Sequence, residues 1–396
     1  GRWPKRPIIE PGTKFKYIVP HYINYQLPVL QKALEQVKAA NFVVGDYGIG
    51  MPPELSNLSI QLNKSIYRMG IGGLHSFEKN VAYKATDTLA IIDRDVAAFY
   101  PRIILNLGLY PNHMGQAFLE VYNNIVERRL IAKKTGNKTA DKGLKVTING
   151  TFGKSNSIWS TIYSPEMFIQ IVITGQLSLL MLIEYMEEGG IEVISANTDG
   201  IVMLCPHTHE AVLSETILLW EKATGFQTEE TRYSAYYSRD VNNYFAVKTN
   251  GEVKVKGGWS EVGSATGTQL DTNPASLICS DAVKLLLGKG IPVEQTIQDC
   301  KDITRFVTVR NVKGGAHKDR YYLGKVIRFY YAKNTPGTIN YITNNNKVPD
   351  TEGAFPCMDL PDAFPDNINY DWYINKTNEI LEEISYKPKS TQLRFF

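Results

Sequence analysis

The sequence predicts an α+β protein in which short antiparallel strands carry the chemistry and a few long helices supply the bulk. Three observations predict it. Two apolar runs, 191–196 and 201–205, flank Asn197-Thr198-Asp199-Gly200 in the manner of a β-hairpin. A second pair, Tyr244-Phe245-Ala246-Val247 and 252–255, flanks Asn250-Gly251. Between them and the N-terminal third lie long stretches of helical spacing at 116–134, 141–155 and 165–187.

Taken in order, residues 1–30 are Pro-rich and irregular, with a strand-like piece at 15–19. Residues 27–40 repeat apolar side chains at helical spacing. Ile71-Gly72-Gly73-Leu74-His75 is a glycine-marked turn. Leu89-Ala90-Ile91-Ile92 is a short apolar run ending at aspartates, which reads as a buried strand delivering Asp95 to its end. The helices at 116–134 and 141–155 are joined by a polar turn around Gly136, and the helix at 165–187 is closed by Gly189-Gly190. That helix is the most apolar stretch of the chain. It contains Gln170, Thr174, Gly175, Gln176 and Ser178, which fits a buried helix rather than a membrane span. From about residue 264 the pattern is helical, then mixed.

A chain of 396 residues can build two or three domains with real cores. The net charge of +3 is too small to name a partner. Charge is concentrated instead between Lys301 and Arg328, where eight Lys/Arg face Asp302 and Asp319. A stretch of that kind can follow a phosphate backbone. The four cysteines, Cys205, Cys279, Cys300 and Cys357, are scattered without a C-x-x-C pair, so neither a zinc site nor a redox dithiol is indicated.

Two aspartates in short motifs carry the chemistry. Asp95 opens Asp-Val-Ala-Ala-Phe-Tyr-Pro-Arg-Ile-Ile, and Asp199 sits in Ser-Ala-Asn-Thr-Asp-Gly-Ile. Between them lies Lys-Val-Thr-Ile-Asn-Gly-Thr-Phe-Gly at 145–153. Hard divalent ions take oxygen ligands, so Asp95, Asp199 and the Val96 carbonyl are the candidate ligands of two Mg2+ ions, with Mn2+ as the alternative. A lone Asp after a strand is usually a turn or cap residue; here the surrounding motifs argue for the site. Lys145 and Asn149 are one helical turn apart and share a face, where lysine offers phosphate a point charge. On the preceding helix, Arg129 and Lys133 form an i,i+4 pair able to clamp phosphates; the alternative frame uses Arg128. Asp93 shares a face with Asp95 if the strand is regular.

The ordered motifs resemble those of the family B DNA polymerases, phage-type members in particular. The first family motif reads D-x-x-S-L-Y-P-S-I-I, matched here by Asp95, Tyr100, Pro101, Ile103 and Ile104. The second, K-x-x-x-N-S-x-Y-G, is matched by Lys145, Asn149 and Gly153. The third, Y-x-D-T-D-S/G, is matched by Thr198, Asp199 and Gly200, while Asn197 replaces its first aspartate. The resemblance implies that Asp199 holds the indispensable place. Asp93, on the Asp95 face of a regular strand, is a candidate for some of the charge Asn197 lacks, although an aspartate there is more often simply hydrogen-bonded or partly solvated. The resemblance also implies that the Tyr100 ring closes against the sugar C2′ and selects deoxynucleotides. Thr198, Tyr100, Arg128 or Arg129, Lys133, Lys145 and Asn149 would then hold the nucleotide.

The same resemblance implies a right-hand architecture with an antiparallel-sheet palm, two-helix fingers and a mostly helical thumb. Its expected boundaries are 1–80 (template side), 81–115 and 156–262 (palm), 116–155 (fingers), 263–386 (thumb) and 387–396 (tail). DNA contacts are expected at Gly72 and Gly73, at Tyr244 in the place of a family K-x-Y element, at Lys254 and Lys256, and at Lys313 and Lys318 around a small glycine loop. No Asp-x-Glu precedes Asp93, so no 3′–5′ exonuclease is expected in this chain. The implied activity is primer-dependent DNA synthesis on a template from dNTPs, by a monomer, in the cytoplasm of a bacterial host. The competing expectation is a weak or inactive polymerase-like scaffold that binds DNA. Finally, Gln392, Leu393, Phe395 and Phe396 resemble the Q-L-x-L-F peptides that bind bacterial sliding clamps, which makes such a clamp an expected partner.

Overall fold

The computed structural model describes residues 5–260 and 275–387. The expected clamp-binding residues Gln392, Leu393, Phe395 and Phe396 lie outside them. The elements run β1 (Lys14–Phe15), α1 (Pro28–Ala39), β2 (Phe42–Gly45), β3 (Gly48–Ile49), α2 (Pro53–Ser56), β4 (Ser59–Leu62), β5 (Ser65–Met69), β6 (Leu74–Ser76), β7 (Lys79–Lys84), β8 (Leu89–Val96) and α3 (Phe99–Asn106). They continue with α4 (Ala117–Lys134), α5 (Lys138–Lys154), α6 (Pro165–Glu188), β9 (Glu192–Asn197), β10 (Gly200–Pro206), α7 (Glu210–Thr224), β11 (Thr228–Asp240), β12 (Asn243–Lys248) and β13 (Val253–Lys256). The last are α8 (Leu277–Lys289), α9 (Val293–Asp299), β14 (Thr308–Lys318), β15 (Tyr321–Tyr331), β16 (Asn340–Tyr341), β17 (Ala354–Pro356) and α10 (Tyr370–Glu383). The mixture of helices and antiparallel sheet is α+β.

The chain divides into two compact units. The first holds residues up to Glu78 together with Ala85–Arg232. Its sheet orders the strands β4-β5-β6-β9-β10-β8, every pair antiparallel. Helix α6 is the spine of this unit and packs on α3, α7 and the sheet. It is long and apolar enough to cross a membrane, but 89% of its apolar window is buried inside the fold. Its polar residues explain how a helix so apolar stays specific. Thr174 meets the Tyr17 hydroxyl at 2.9 Å, and Gln170 accepts from the Ile18 amide at 3.1 Å. Glu184, fully buried, accepts from the amides of Gln26 and Leu27 at 2.9 and 2.6 Å just before α1 begins. The irregular N-terminal segment is thereby fastened to the core by hydrogen bonds to polar groups of α6, which offset part of the cost of burying them.

Helices α4 and α5 pack on each other and on α3. α5 begins three residues earlier than the periodicity predicts, because the Asn137 side chain accepts from the Ala140 amide at 3.1 Å and caps the helix there. The three strands β4, β5 and β6 have no counterpart in the sequence reading beyond the glycine turn between β5 and β6.

The second unit holds Lys79–Lys84 and the residues from Tyr233 onward. One sheet pairs β7 with β11, β11 with β12, and β12 with β13. A second has the order β16-β14-β15-β17 and lies with α8, α9 and α10 in this unit. The region from 263 on, expected to be mostly helical, is therefore mixed. The cause is the long antiparallel ribbon of β14 and β15, which buries Val309, Val312 and Ala316 of β14 and Ile327 and Phe329 of β15 in the core of this unit. Lys313 and Lys318 do not frame a loop. Gly314 and Gly315, at φ of 87° and 93°, form an irregularity inside β14, where the pairing shifts register.

Candidate active site

The first unit contains a cavity of about 580 Å³ into which the two motif aspartates converge. Strands β8 and β10 pair antiparallel with Asp95 opposite Gly200, and the Val96 amide donates to the Asp199 carbonyl at 2.7 Å. A Cβ at position 200 would lie 2.2 Å from Asp95 Oδ1, so only glycine leaves room for that carboxylate. The hairpin between β9 and β10 turns in two residues, Thr198 and Asp199, with Asn197 paired to Gly200. Thr198 takes a left-handed φ of 57°, its amide donates to the Leu74 carbonyl at 2.9 Å, and its hydroxyl donates to Asn197 Oδ1 at 3.1 Å. Gly73 is what admits Thr198 this closely: a Cβ there would meet three Thr198 atoms at 3.0 Å.

On the opposite side of Asp95, Ala98 is also left-handed, at φ 48° and ψ 48°, and forms the N-cap of α3. The first-turn residues Phe99, Tyr100 and Pro101 line the cavity. The first amides of a helix have no intrahelical acceptor and carry the positive end of the helix dipole. Tyr100 is fixed by several contacts. Its hydroxyl donates to the Gly72 carbonyl at 2.7 Å, and its ring lies 4.4 Å from that of Phe152 on α5. Burial, reinforced by the charge of Asp199, pushes the Tyr100 hydroxyl far above its ordinary pKa. It is therefore a neutral hydrogen-bond donor at any working pH.

The far wall comes from α4 and α5. Lys145 and Asn149 line the cavity, as do Arg129 and Lys133. Arg128 is exposed and absent from the lining, so the frame through Arg129 is the one that faces inward. Two of these cations are held by carboxylates: Arg129 by Asp141 at 3.1 Å and Lys133 by Glu229 at 2.7 Å. Glu229, which the sequence did not single out, lines the cavity itself. Asp93 is 3% exposed and is not part of the lining, so it does not bring its charge to the site in the manner expected. Gly72 contributes to the lining; Gly73 acts from behind through Thr198.

The donor set fits hard cations that keep part of their coordination for substrate and water. Among the described residues no group of three or more His, Cys, Asp or Glu could hold a metal by itself. Two carboxylates and a backbone carbonyl suit magnesium, which is commonly bound through one or two carboxylates plus substrate phosphates.

The remaining expected DNA contacts belong to the second unit. Tyr244 is buried and packs against Tyr236 at 5.1 Å, with the Lys256 ammonium 6.0 Å above its ring. It supports the hairpin of β12 and β13 rather than reaching outward. Lys254 and Lys256 lie on β13, half-buried. Lys318 donates to the Pro336 and Ala354 carbonyls at 3.1 and 3.0 Å, and burial lowers its pKa, which ties it into its own fold rather than offering it to a phosphate. Lys313 is exposed on β14. Sequence reasoning missed Tyr321 and Tyr322 on β15, which are 76% and 63% exposed next to Arg320.

No family profile and no curated protein sequence matches the chain. One solved structure with a similar outline is the family B DNA polymerase of the hyperthermophilic archaeon Pyrobaculum calidifontis. It is 14% identical with a TM-score of 0.47, over 92% of this chain and 50% of that one. The chain thus spans about half the length of that polymerase. A likeness of this degree carries no argument about activity, which has to come from the site.

Proposed function

We propose that the cavity of the first unit is the nucleotidyl-transfer site of a DNA-directed DNA polymerase. The observation that carries the reading is convergence. Asp95 and Asp199 on paired strands, Tyr100 on α3, and Arg129, Lys133, Lys145 and Asn149 on two further helices line one cavity, although the sequence spreads them over a hundred residues. In this reading the sheet of the first unit is the palm and the pair α4 and α5 the fingers.

Asp95 and Asp199, with the Val96 carbonyl, would hold two Mg2+ ions, which when bound activate the primer 3′ oxygen and offset charge developing at the α-phosphate. The chain's own groups do the rest. Lys145, Arg129 and Lys133 neutralise the triphosphate, the latter two by exchanging Asp141 and Glu229 for phosphate oxygens. The first-turn amides of α3 add donors from below. Asn149 reaches the phosphate or the base edge. Gly150 and Gly153 face open space, which lets a nascent base pair approach α5 closely. The Tyr100 ring, neutral and held in place, fills the volume that a ribose 2′-hydroxyl would need. In the second unit, Lys313, Arg320, Lys325, Tyr321 and Tyr322 of the β14–β15 ribbon form a basic, aromatic surface suited to a nucleic-acid backbone.

A second reading, a DNA-binding scaffold with little catalysis, is favoured by Asn197, which leaves the hairpin one carboxylate short of the family pattern. Primer extension with all four dNTPs and Mg2+ separates the two. A polymerase elongates the primer, and Asp95→Ala does not. A protein that binds primer-template without elongating it is the scaffold.

A further inference from the structure

We propose that Gly175 and Gln176, consecutive residues of α6 outside the cavity, set the sugar selectivity of the site by framing Tyr100. The inference rests on the reading of the cavity as a deoxynucleotide site. A ring excludes one hydroxyl only if it cannot yield by about half an ångström, so a gate needs locked neighbours.

The frame has two arms. Gln176 is buried, at 1% exposure, and its amide is fully engaged: Oε1 accepts from the Gly70 amide at 2.9 Å, and Nε2 donates to the carbonyls of Gly70 at 2.9 Å and Val172 at 3.1 Å. It therefore grips both polar groups of Gly70. Gly70 in turn closes the turn 70–73 by reciprocal backbone bonds with Gly73, at 3.1 and 3.2 Å. The carbonyl of that turn at Gly72 is the acceptor of the Tyr100 hydroxyl. The second arm is Gly175. A Cβ there would lie 3.1 Å from Tyr100 Cε1 and 3.3 Å from Phe99 Cε1, so the ring rests directly on the helix backbone. One residue of α6 sets how deep the ring sits, and the next sets where its hydroxyl is tied.

The two arms make opposite predictions. Gln176→Ala, and Gln176→Met, which restores volume without hydrogen bonds, free the turn. Each lowers the ratio of kcat/KM for a dNTP over the matching rNTP by about tenfold, roughly the worth of one buried hydrogen bond. Tyr100→Phe, which keeps the ring and cuts the tether, lowers the ratio similarly. The double variant Gln176→Ala/Tyr100→Phe falls no further than the more affected of the two singles, because both cut one path. Gly175→Ala pushes the ring into the cavity, so it raises KM for dNTP and does not lower the ratio.

The test is single-nucleotide incorporation by the wild type and these variants with dNTP and rNTP on one primer-template. The ratio is insensitive to a general loss of folded protein, since both substrates report on the same active fraction. A ratio unchanged within about twofold in Gln176→Met and in Tyr100→Phe, with dNTP still incorporated, overturns the inference and leaves the polymerase reading standing. Additive effects in the double variant overturn the shared path. A wild type that incorporates neither nucleotide overturns the polymerase reading itself.

Discussion

The two units place their backbone irregularity differently. Among the described residues of the first unit, the non-glycine positions at positive φ are Asn63, Ala98 and Thr198. Asparagine tolerates that conformation; alanine and the β-branched threonine do not, at about 1–2 kcal/mol each. Those two flank Asp95 and Asp199. In the second unit the corresponding residues are Asn80, Ser276, Asp319, Asn334, Asn345, Asp350 and Ser385. Most are residue types that suit a left-handed turn. The cores differ as well. Aliphatic side chains along α6 dominate the first, whereas the second centres on Phe306, Phe329, Tyr331, Trp372 and Tyr373. The comparison teaches that strain on unsuitable residue types marks a site, while strain on suitable ones marks only a turn.

The largest expected effect separates chemistry from folding. Asp95→Ala or Asp199→Ala lowers nucleotide incorporation by about a thousandfold or more, with primer-template affinity nearly unchanged, because phosphate contacts supply most of that affinity. Rapid-quench incorporation and filter binding check the two halves. The second unit gives the converse. The Tyr373 hydroxyl accepts from the Tyr331 amide and donates to the Phe306 carbonyl, both at 2.9 Å. Tyr373→Phe strands both backbone groups and costs about 1–3 kcal/mol, read as a lower urea midpoint. A mutant as stable as the wild type would contradict the role given to that cluster.

Smaller effects test the strain. Ala98→Gly removes the penalty of the left-handed cap and stabilises by about 1 kcal/mol, while Asp319→Gly in the second unit stays within about 0.5 kcal/mol. Equal gains at both would dissolve the contrast. Asn197→Asp keeps an acceptor for the Thr198 hydroxyl and adds charge beside the aspartates, so incorporation is preserved or raised; its loss would show that reduced charge is required.

The smallest effect is in pH dependence. Burial pushes the Glu184 carboxyl above its ordinary value of 4.5. The fold therefore favours the protonated form, whose stabilising contribution is full below that value and is lost as pH rises through the raised one. Glu184→Gln keeps the acceptor for the Gln26 and Leu27 amides and does not titrate. Its stability relative to the wild type should increase from pH 4 to 7, by urea unfolding at each pH. A parallel pair of curves would remove Glu184 from the account.

Much of the first unit was legible in the sequence. The apolar run before Asp95, the hairpin around Asp199 and the three long helices are local patterns, and each occurs where its pattern places it, apart from the extra first turn that the Asn137 cap adds to α5. What was not legible depends on long-range contact. Strands β4 and β5 do alternate, with Ile60 and Leu62 then Tyr67 and Met69 buried around the Asn63-Lys64 turn. That signal spans only four or five residues on each side. Gln176 reads as an odd polar residue in an apolar helix, and only the fold brings Gly70 to it. Glu229 is one of four glutamate or threonine residues in a row, 228–231, and gains meaning only opposite Lys133. Gly314-Gly315 reads as a loop because glycine usually punctuates, and its role as an irregularity within a paired strand appears only with the pairing.

The most direct test of the account is single-nucleotide extension of a primer on templates differing only in the first unpaired base, with Mg2+ and one dNTP at a time. The account predicts that the wild type adds only the complementary deoxynucleotide, that its choice follows the template base, and that Asp199→Ala adds none while still binding the duplex. Extension that ignores the template base, or that proceeds equally well in Asp199→Ala, would contradict it.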